Sequence, residues 1–334
     1  MTSTILAKTP FRVSFGGGGT DIETYYIKHG GLVVSTTIDK YFYSVLMPRD
    51  DDRFELASAD YGYSGVFDSV DKIPDDDAFR IPKAVLAHLG CETGIKLFMS
   101  SEIPAGTGLG SSCAVSVNLV NLISTYLGKQ MDKEELAETA FYIDTGVLGF
   151  PIGKQDQYAS AFGGLNMIEF TKDGVTVKPL DISKETIQML DDRIMLFFGG
   201  STRNASSILT EQKADSASNK DVISSLDKIK ELAIQMKTAL EDNDLDGFGN
   251  LLHESWLSKR TLNKKVSNDF IDEAYTAARR AGATGGKIAG AGGGGFLILY
   301  CDPAKQPDVT KAMSNIGWNR MDFCFENKGS MVLR

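Results

Sequence analysis

The chain has 334 residues, and 44 acidic against 35 basic side chains leave a formal charge of −9. That balance, with no lysine- or arginine-rich block, argues against nucleic acid and anionic membrane as partners and points to a small ligand. A hydrophobic content of 42% is enough to build cores for two domains. No apolar run reaches membrane-spanning length, and residues 1–10 lack the basic-then-apolar pattern of a signal peptide, so a cytoplasmic location is expected.

Residues 4 to 15 and 32 to 47 read as strand-rich, and Ile95 to Met99 alternates like a half-buried strand. The run from Ser112 to Leu127 carries Val115, Leu119, Leu122 and Tyr126 at helical spacing and stops at Gly128. Asp132 followed by Glu135 predicts a helix start for 133 to 142. Strand patterning returns over 165 to 181, with a turn at Asp173-Gly174. A new strand from Arg193 to Phe198 sets a domain boundary near residue 190, giving expected domains of 1–190 and 191–334. Beyond it, Val222, Leu226, Ile229, Ala233, Met236 and Leu240 share one side of a predicted helix over 222 to 240. The Phe296 strand, a helix near 304 to 314 and strand candidates at 320 to 325 and 330 to 333 complete the tail. Strands and helices interleave in both halves without a long βαβαβ series, which predicts two α+β domains. Cys91, Cys113, Cys301 and Cys324 show neither metal-ligand spacing nor a disulfide framework. His29, His88 and His253 form no local pair, so neither a zinc site nor a histidine-based triad is suggested.

Between the strand at 95–99 and the helix at 112–127 lies Pro104-Ala105-Gly106-Thr107-Gly108-Leu109-Gly110-Ser111-Ser112. Three glycines on alternate positions allow close backbone approach, and a helix N-terminus offers unpaired N–H groups to an anion. A plain strand-to-helix turn is the bland alternative, but it seldom needs three glycines and two hydroxyls together. No segment fits the G-x-x-x-x-G-K-[ST] pattern of a P-loop. Gly290, Gly292 and Gly295 fit G-x-G-x-x-G literally, yet the apolar run Phe296 to Tyr300 that follows reads as a strand where a dinucleotide site needs a helix. Three glycine-rich segments, Gly16–Gly19, Gly106–Gly110 and Gly285–Gly295, are expected to wall one cleft.

The combination resembles the galactokinase, homoserine kinase, mevalonate kinase and phosphomevalonate kinase (GHMP) superfamily. Pro10 to Asp21 looks like its N-terminal substrate motif, Pro104 to Ser112 its phosphate loop, and Lys287 to Gly295 its third, glycine-rich motif. The resemblance implies an N-terminal domain similar to the second domain of ribosomal protein S5, a C-terminal ferredoxin-like domain, and a nucleotide and acceptor between them. Within the superfamily, Phe15 to Asp21, Gly153 to Ala159, Ser201 to Ser206 and Trp256 to Arg260 look like the branch of D-glycero-D-manno-heptose 7-phosphate kinases. Galactokinases carry a different run where Ser14 to Gly17 stand here.

The resemblance implies ATP and Mg²⁺, and it distributes roles. Phosphoryl transfer needs in-line positioning, charge neutralisation and a group to receive the acceptor's proton. Asp156 matches the base-like aspartate, although alone it would read as a helix-capping residue. Arg12 matches the basic residue beside it, and a permanent cation there keeps a carboxylate ionised. Pro104, Gly106, Thr107, Gly108, Leu109, Gly110, Ser111 and Ser112 would hold the phosphates. Ser112 and Asp144 would meet Mg²⁺, the aspartate being shorter than the usual glutamate. The acceptor would lie on Gly17, Gly18, Gly19, Thr20 and Asp21, with Gly292 and Gly293 opposite. Arg203 is the leading candidate for a phosphate already on the sugar; Lys83 and Lys259 or Arg260 are weaker candidates for it, each reading rather as a solvated surface charge. Trp256, Tyr25 and Tyr26 read as packing. The expected activity is phosphorylation of the anomeric hydroxyl of a heptose 7-phosphate. A kinase for an unphosphorylated sugar, a non-catalytic sensor of nucleotide or sugar, and a dehydrogenase are the alternatives.

Overall fold

A computed structural model describes residues 4–200 and 206–333. The strand Ile5–Gly16 is apolar or small at most positions after Thr9 and is buried along that whole stretch, as a strand covered on both faces must be. It pairs antiparallel with the long strand Gly31–Pro48, with irregularities at Pro10/Phe11 and Ser14/Gly16. Gly31–Pro48 serves three neighbours on its other edge: Asn166–Thr171 beside its first residues, Phe325–Glu326 beside Thr37 and Ile38, and Ile95–Ser101 beside its last. Phe54–Ser58 lies parallel to Ile95–Ser101, and Tyr63–Phe67 closes that end. The expected turn at Asp173-Gly174 joins Asn166–Thr171 to Gly174–Pro179.

The helix Ser111–Tyr126 packs on the first two strands and is flanked by the helices Arg80–Leu89, Lys133–Tyr142 and Gln155–Phe162. It is buried on nearly every side, so its sequence carries small and apolar residues all round and the expected four-residue stripe understated it. Its polar Asn118 is answered internally, donating to Thr9 Oγ1 (3.0 Å) and the Phe42 carbonyl (3.2 Å). Lys133–Tyr142 begins on the predicted capping box, with Asp132 and Glu135 each accepting from the other's backbone N–H.

The second sheet runs Asn319–Met321, Ile194–Phe198, Phe296–Cys301, Ala283–Ile288, with every neighbour antiparallel. Ser206–Ser216, Lys220–Glu241, Leu245–Arg260 and Asp269–Ala281 lie in the first crossover and Gln306–Asn315 in the second. This is the split βαβ pattern of a ferredoxin-like unit.

The expected span 191–334 needs one correction, at the tail. Phe325–Glu326 pairs with the strand Gly31–Pro48, and Met331–Leu333 pairs with Leu6 to Lys8 of the first strand. The chain end thus covers an edge that the first sheet would otherwise leave open, and Ser330 meets Thr9 at 2.8 Å. The two units also share one core. Phe15 sits edge-on to Phe248 at 5.4 Å, and Ala233, Met236 and Leu240 belong to the same apolar cluster as Val13 and Val34. No helix among the described residues is long and apolar enough to cross a membrane.

If the tail closes the first sheet, deleting residues 322–334 should lower the melting temperature by roughly 3 °C or more, since ~1 kcal/mol corresponds to about 1–2 °C in a chain this long. Thermal denaturation followed by circular dichroism checks this, and an unchanged transition would show the pairing to be dispensable.

Candidate active site

The three glycine-rich segments meet around one cavity of about 720 Å³. Its lining includes Gly18 and Gly19 from the first segment, Gly106, Gly108 and Gly110 from the second, and Gly290, Gly292 and Gly294 from the third. Phe42, Met99, Ile103, Pro82 and Phe150 give part of the wall an apolar, aromatic face, where the Arg80 guanidinium stacks over Phe150 at 5.0 Å, and the acidic Asp60, Asp77 and Glu102 also line the cavity. Elsewhere in the wall the charged side chains Arg12, Asp21, Asp156, Lys259 and Lys287 converge.

The second glycine segment owes its anion-binding character to where its carbonyls go. The Pro104 carbonyl accepts from Thr107 Oγ1 (3.0 Å), and that of Thr107 from the Phe296 N–H (3.1 Å). The Gly108 carbonyl accepts from Arg12 Nη1 (2.7 Å), that of Leu109 from the Arg12 N–H (3.2 Å), and that of Gly110 from the Ala114 N–H (2.9 Å). With those acceptors tied into the protein, the N–H groups of the loop and of the first helical turn remain for a ligand, at the positive end of the Ser111–Tyr126 helix. Leu109 and Thr107 are buried supports, whereas Gly106, Gly108, Gly110, Ser111 and Ser112 line the cavity.

The third segment is glycine-rich because it presses on this loop. A Cβ on Gly108, where φ is +88°, would stand 2.6 Å from the Ala289 carbonyl oxygen, and one on Gly295 would stand 2.2 Å from the Thr107 carbonyl oxygen. Two backbones in contact leave no room for side chains between them.

Arg12 and Asp156 come together as expected. Arg12 Nε (2.7 Å) and Nη2 (2.6 Å) both reach Asp156 Oδ1, which leaves Oδ2 for other use. A Cβ on Gly110 would lie 3.3 Å from Oδ2, so this oxygen adjoins the end of the phosphate loop. Asp156 sits in the first turn of Gln155–Phe162 and is 18% exposed, against 4% for Arg12. Asp21 is buried beside it, accepting from the Gly19 N–H (2.9 Å), the Gln155 N–H (3.2 Å) and Gln155 Nε2 (3.1 Å). Burial, then the Asp156 charge, raises the Asp21 pKa, and the backbone donors oppose them.

Other expectations are corrected. Asp144 does not line the cavity; it sits in the π-helical turn Ile143–Val147, fully buried, where Ser116 Oγ donates to it at 2.5 Å and Gln157 Nε2 at 2.8 Å. Burial pushes its pKa up to about 7 despite those donors. Ser112 faces the cavity, but Asp144 is engaged one helical turn further along, by Ser116. Thr20 is a buried brace between the Gly17 and Leu32 carbonyls, and Gly17 itself packs on Leu32. Gly293 donates to the Val266 carbonyl at 2.8 Å outside the lining, while Gly292 lines it. Arg203 lies outside the described residues.

Lys259 reverses its expected reading. It is buried, lines the cavity and donates to the Gly290 carbonyl, with burial and the Arg12 charge drawing its pKa down to about 8 against the pull of Asp21. Arg260 does face solvent, paired with Asp272 at 2.7 Å. Lys287 is also buried, donating to the Ser14 (3.0 Å) and Phe15 (3.2 Å) carbonyls, and burial depresses its pKa strongly. The helical period of Leu245–Arg260 is the signal that could have exposed Lys259: it lies three and seven residues beyond the buried Trp256 and Leu252.

Gly108→Ala should weaken binding of a non-hydrolysable triphosphate nucleotide on the order of 10-fold or more, from an overpacking cost of about 1–3 kcal/mol. Calorimetric titration of the folded variant measures it, and unchanged affinity would contradict the backbone clamp.

The sequence matches the family descriptions "GHMP kinases N terminal domain" over residues 78–164 and "GHMP kinases C terminal" over 236–318. It is 33% identical over 332 residues, 98% of each chain, to a D-glycero-alpha-D-manno-heptose 7-phosphate kinase of Campylobacter jejuni. It is 25% identical to an L-fucokinase/L-fucose-1-P guanylyltransferase of Bacteroides fragilis, covering 99% of this chain and 38% of that one. The crystal structure of a D-glycero-D-manno-heptose 1-phosphate kinase from Bacteroides thetaiotaomicron superposes with a TM-score of 0.81 at 29% identity, over 99% of both chains. The glycine-walled cleft, its carbonyl-tied loop and these matches make the chain a member of the GHMP kinase family, ATP-dependent phosphotransferases acting on alcohol groups.

Proposed function

We propose that the protein transfers the γ-phosphoryl group of ATP to the anomeric hydroxyl of D-glycero-D-manno-heptose 7-phosphate, giving the 1,7-bisphosphate. The observation that carries this reading is the split duty of Asp156: Oδ1 is bound by Arg12 while Oδ2 adjoins the loop end where a γ-phosphate would sit. The likeness to the Campylobacter jejuni enzyme over nearly the full length supplies the sugar class.

In this mechanism the loop amides bind the phosphates and the apolar face takes the base. Asp156 Oδ2 accepts the proton of the attacking hydroxyl as its oxygen bonds to the γ-phosphorus and the bond to the β,γ-bridging oxygen breaks, releasing ADP. Arg12 holds the carboxylate in place through its two contacts to Oδ1. Asp21, fixed by Gln155, and Gly18 and Gly19 provide the acceptor's hydroxyl contacts.

Among the described residues no cluster of three or more histidine, cysteine or acidic side chains could hold a metal. Mg²⁺ needs no such cage, because it keeps several waters and binds through nucleotide phosphates with few protein ligands. Ser112, which faces the cavity beside the phosphate loop, is the protein oxygen that would hold it. Bound there, the ion would neutralise phosphate charge.

Acceptor-dependent ADP release with heptose 7-phosphate, free fucose and free galactose tests the substrate: turnover of the phosphorylated heptose is expected, and turnover of a free hexose alone would overturn it. Asp156→Asn should lower kcat by roughly 100-fold or more, the usual contribution of a positioned acid or base, with little change in nucleotide affinity. Steady-state kinetics checks this, and near wild-type turnover would remove Asp156 from the mechanism.

A further inference from the structure

We infer that Lys259 receives the distal phosphate of the acceptor and thereby selects a phosphorylated sugar over the free one. The inference rests on the acceptor class proposed above and assigns the phosphate to one side chain.

Three cations occupy the acceptor end, and two are already committed. Arg12 spends its guanidinium on Asp156 and the Gly108 carbonyl. Lys287 is answered by two carbonyls, those of Ser14 and Phe15, and holds the first strand to the second sheet. Lys259 differs. It sits in the last turn of Leu245–Arg260 and points inward while its neighbour Arg260 turns out to Asp272. Its ammonium donates to the Gly290 carbonyl, and no ion pair to a carboxylate forms among the described residues. An ammonium has three donors, so two remain uncommitted on a side chain that lines the cavity.

A buried cation without a counter-anion is costly. The depressed pKa of about 8 registers that cost and still leaves the group mostly protonated at neutral pH. The charged groups around it are Arg12, Asp21 and Lys287. Of these only Asp21 is negative, and its carboxylate oxygens already accept from Gly19 and Gln155 and form no ion pair with the lysine. A sugar phosphate would supply the missing negative charge through short charge-assisted hydrogen bonds. Two further groups await a polar ligand in the same region: Ser14 Oγ and Gln155 Oε1 are both buried without a hydrogen-bond partner, and both residues line the cavity. They suit sugar hydroxyls, which leaves the phosphate to the lysine. Because Lys259 also touches Gly290, an acceptor phosphate seated on it would contact the third glycine segment, which in turn presses on the phosphate loop.

The test compares kcat/KM for D-glycero-D-manno-heptose 7-phosphate with kcat/KM for unphosphorylated D-glycero-D-manno-heptose, in wild type, Lys259→Met and Lys259→Arg. In Lys259→Met the preference for the phosphorylated sugar should fall roughly 10- to 100-fold, the worth of hydrogen bonds to a charged group, and Lys259→Arg should restore part of it. An unchanged ratio, with both acceptors losing equally, would reduce Lys259 to a brace for Gly290 and overturn the inference. Should wild type use neither heptose, the proposed substrate fails while the lysine can still be judged. Inorganic phosphate is then titrated into protein saturated with a non-hydrolysable ATP analogue. Binding by wild type that Lys259→Met loses supports the assignment; no binding by wild type, or equal binding by both, overturns it.

Discussion

Arg12 is the constraint on which the site depends, because one side chain and its own backbone tie together parts that are distant in sequence. Its guanidinium binds Asp156 and the Gly108 carbonyl, and its N–H binds the Leu109 carbonyl. The same residue therefore turns loop carbonyls away from the cleft and fixes the carboxylate against the loop's end. Breaking a buried ion pair by removing one partner costs about 3–5 kcal/mol, so the arrangement is stiff. Its stiffness comes from the strand Ile5–Gly16, which is buried on both faces and wedged between the two units by Phe15 against Phe248. Preorganisation of this kind suits a reaction in which the protein positions and neutralises rather than making covalent bonds.

The glycine segments divide their labour. Those of the phosphate loop expose amides, and those of the third segment allow it to lie against that loop backbone to backbone. Gly18 and Gly19 open the acceptor end, where Asp21 is held rather than free. Electrostatically the charges are grouped: Arg12, Lys259 and Lys287 gather with Asp21 and with Asp156, which is spent on Arg12, while Asp60, Asp77, Arg80 and Glu102 stand among the apolar side chains of the remaining wall. That grouping sits in a chain whose net charge is −9, so the anionic ligand is met by local positive groups and not by the field of the whole protein.

Much of this was readable from the residues. Local chemistry announced the capping box at Asp132 and Glu135, the turn at Asp173-Gly174, and the long amphipathic helix that the structure extends to Lys220–Glu241. The convergence of three glycine runs on one cavity was also legible, because exposed backbone has few other uses. What escaped was set by tertiary context. The first sheet takes back the tail at Phe325–Glu326 and Met331–Leu333, a pairing across nearly the whole chain that no local pattern encodes. Asp144 reads as a ligand in sequence, but the π-helical turn rotates it into the core against Ser116 and Gln157. Lys259 and Arg260 are adjacent basic residues, and only the packing of their helix decides which one faces the cleft.

A crystal structure with a non-hydrolysable ATP analogue and the acceptor sugar phosphate tests the central claim most directly. A γ-phosphate on the amides of residues 106–112, with the acceptor hydroxyl between it and Asp156 Oδ2, is the expected result. A triphosphate lodged elsewhere, or an acceptor hydroxyl out of hydrogen-bonding reach of Asp156, would contradict it.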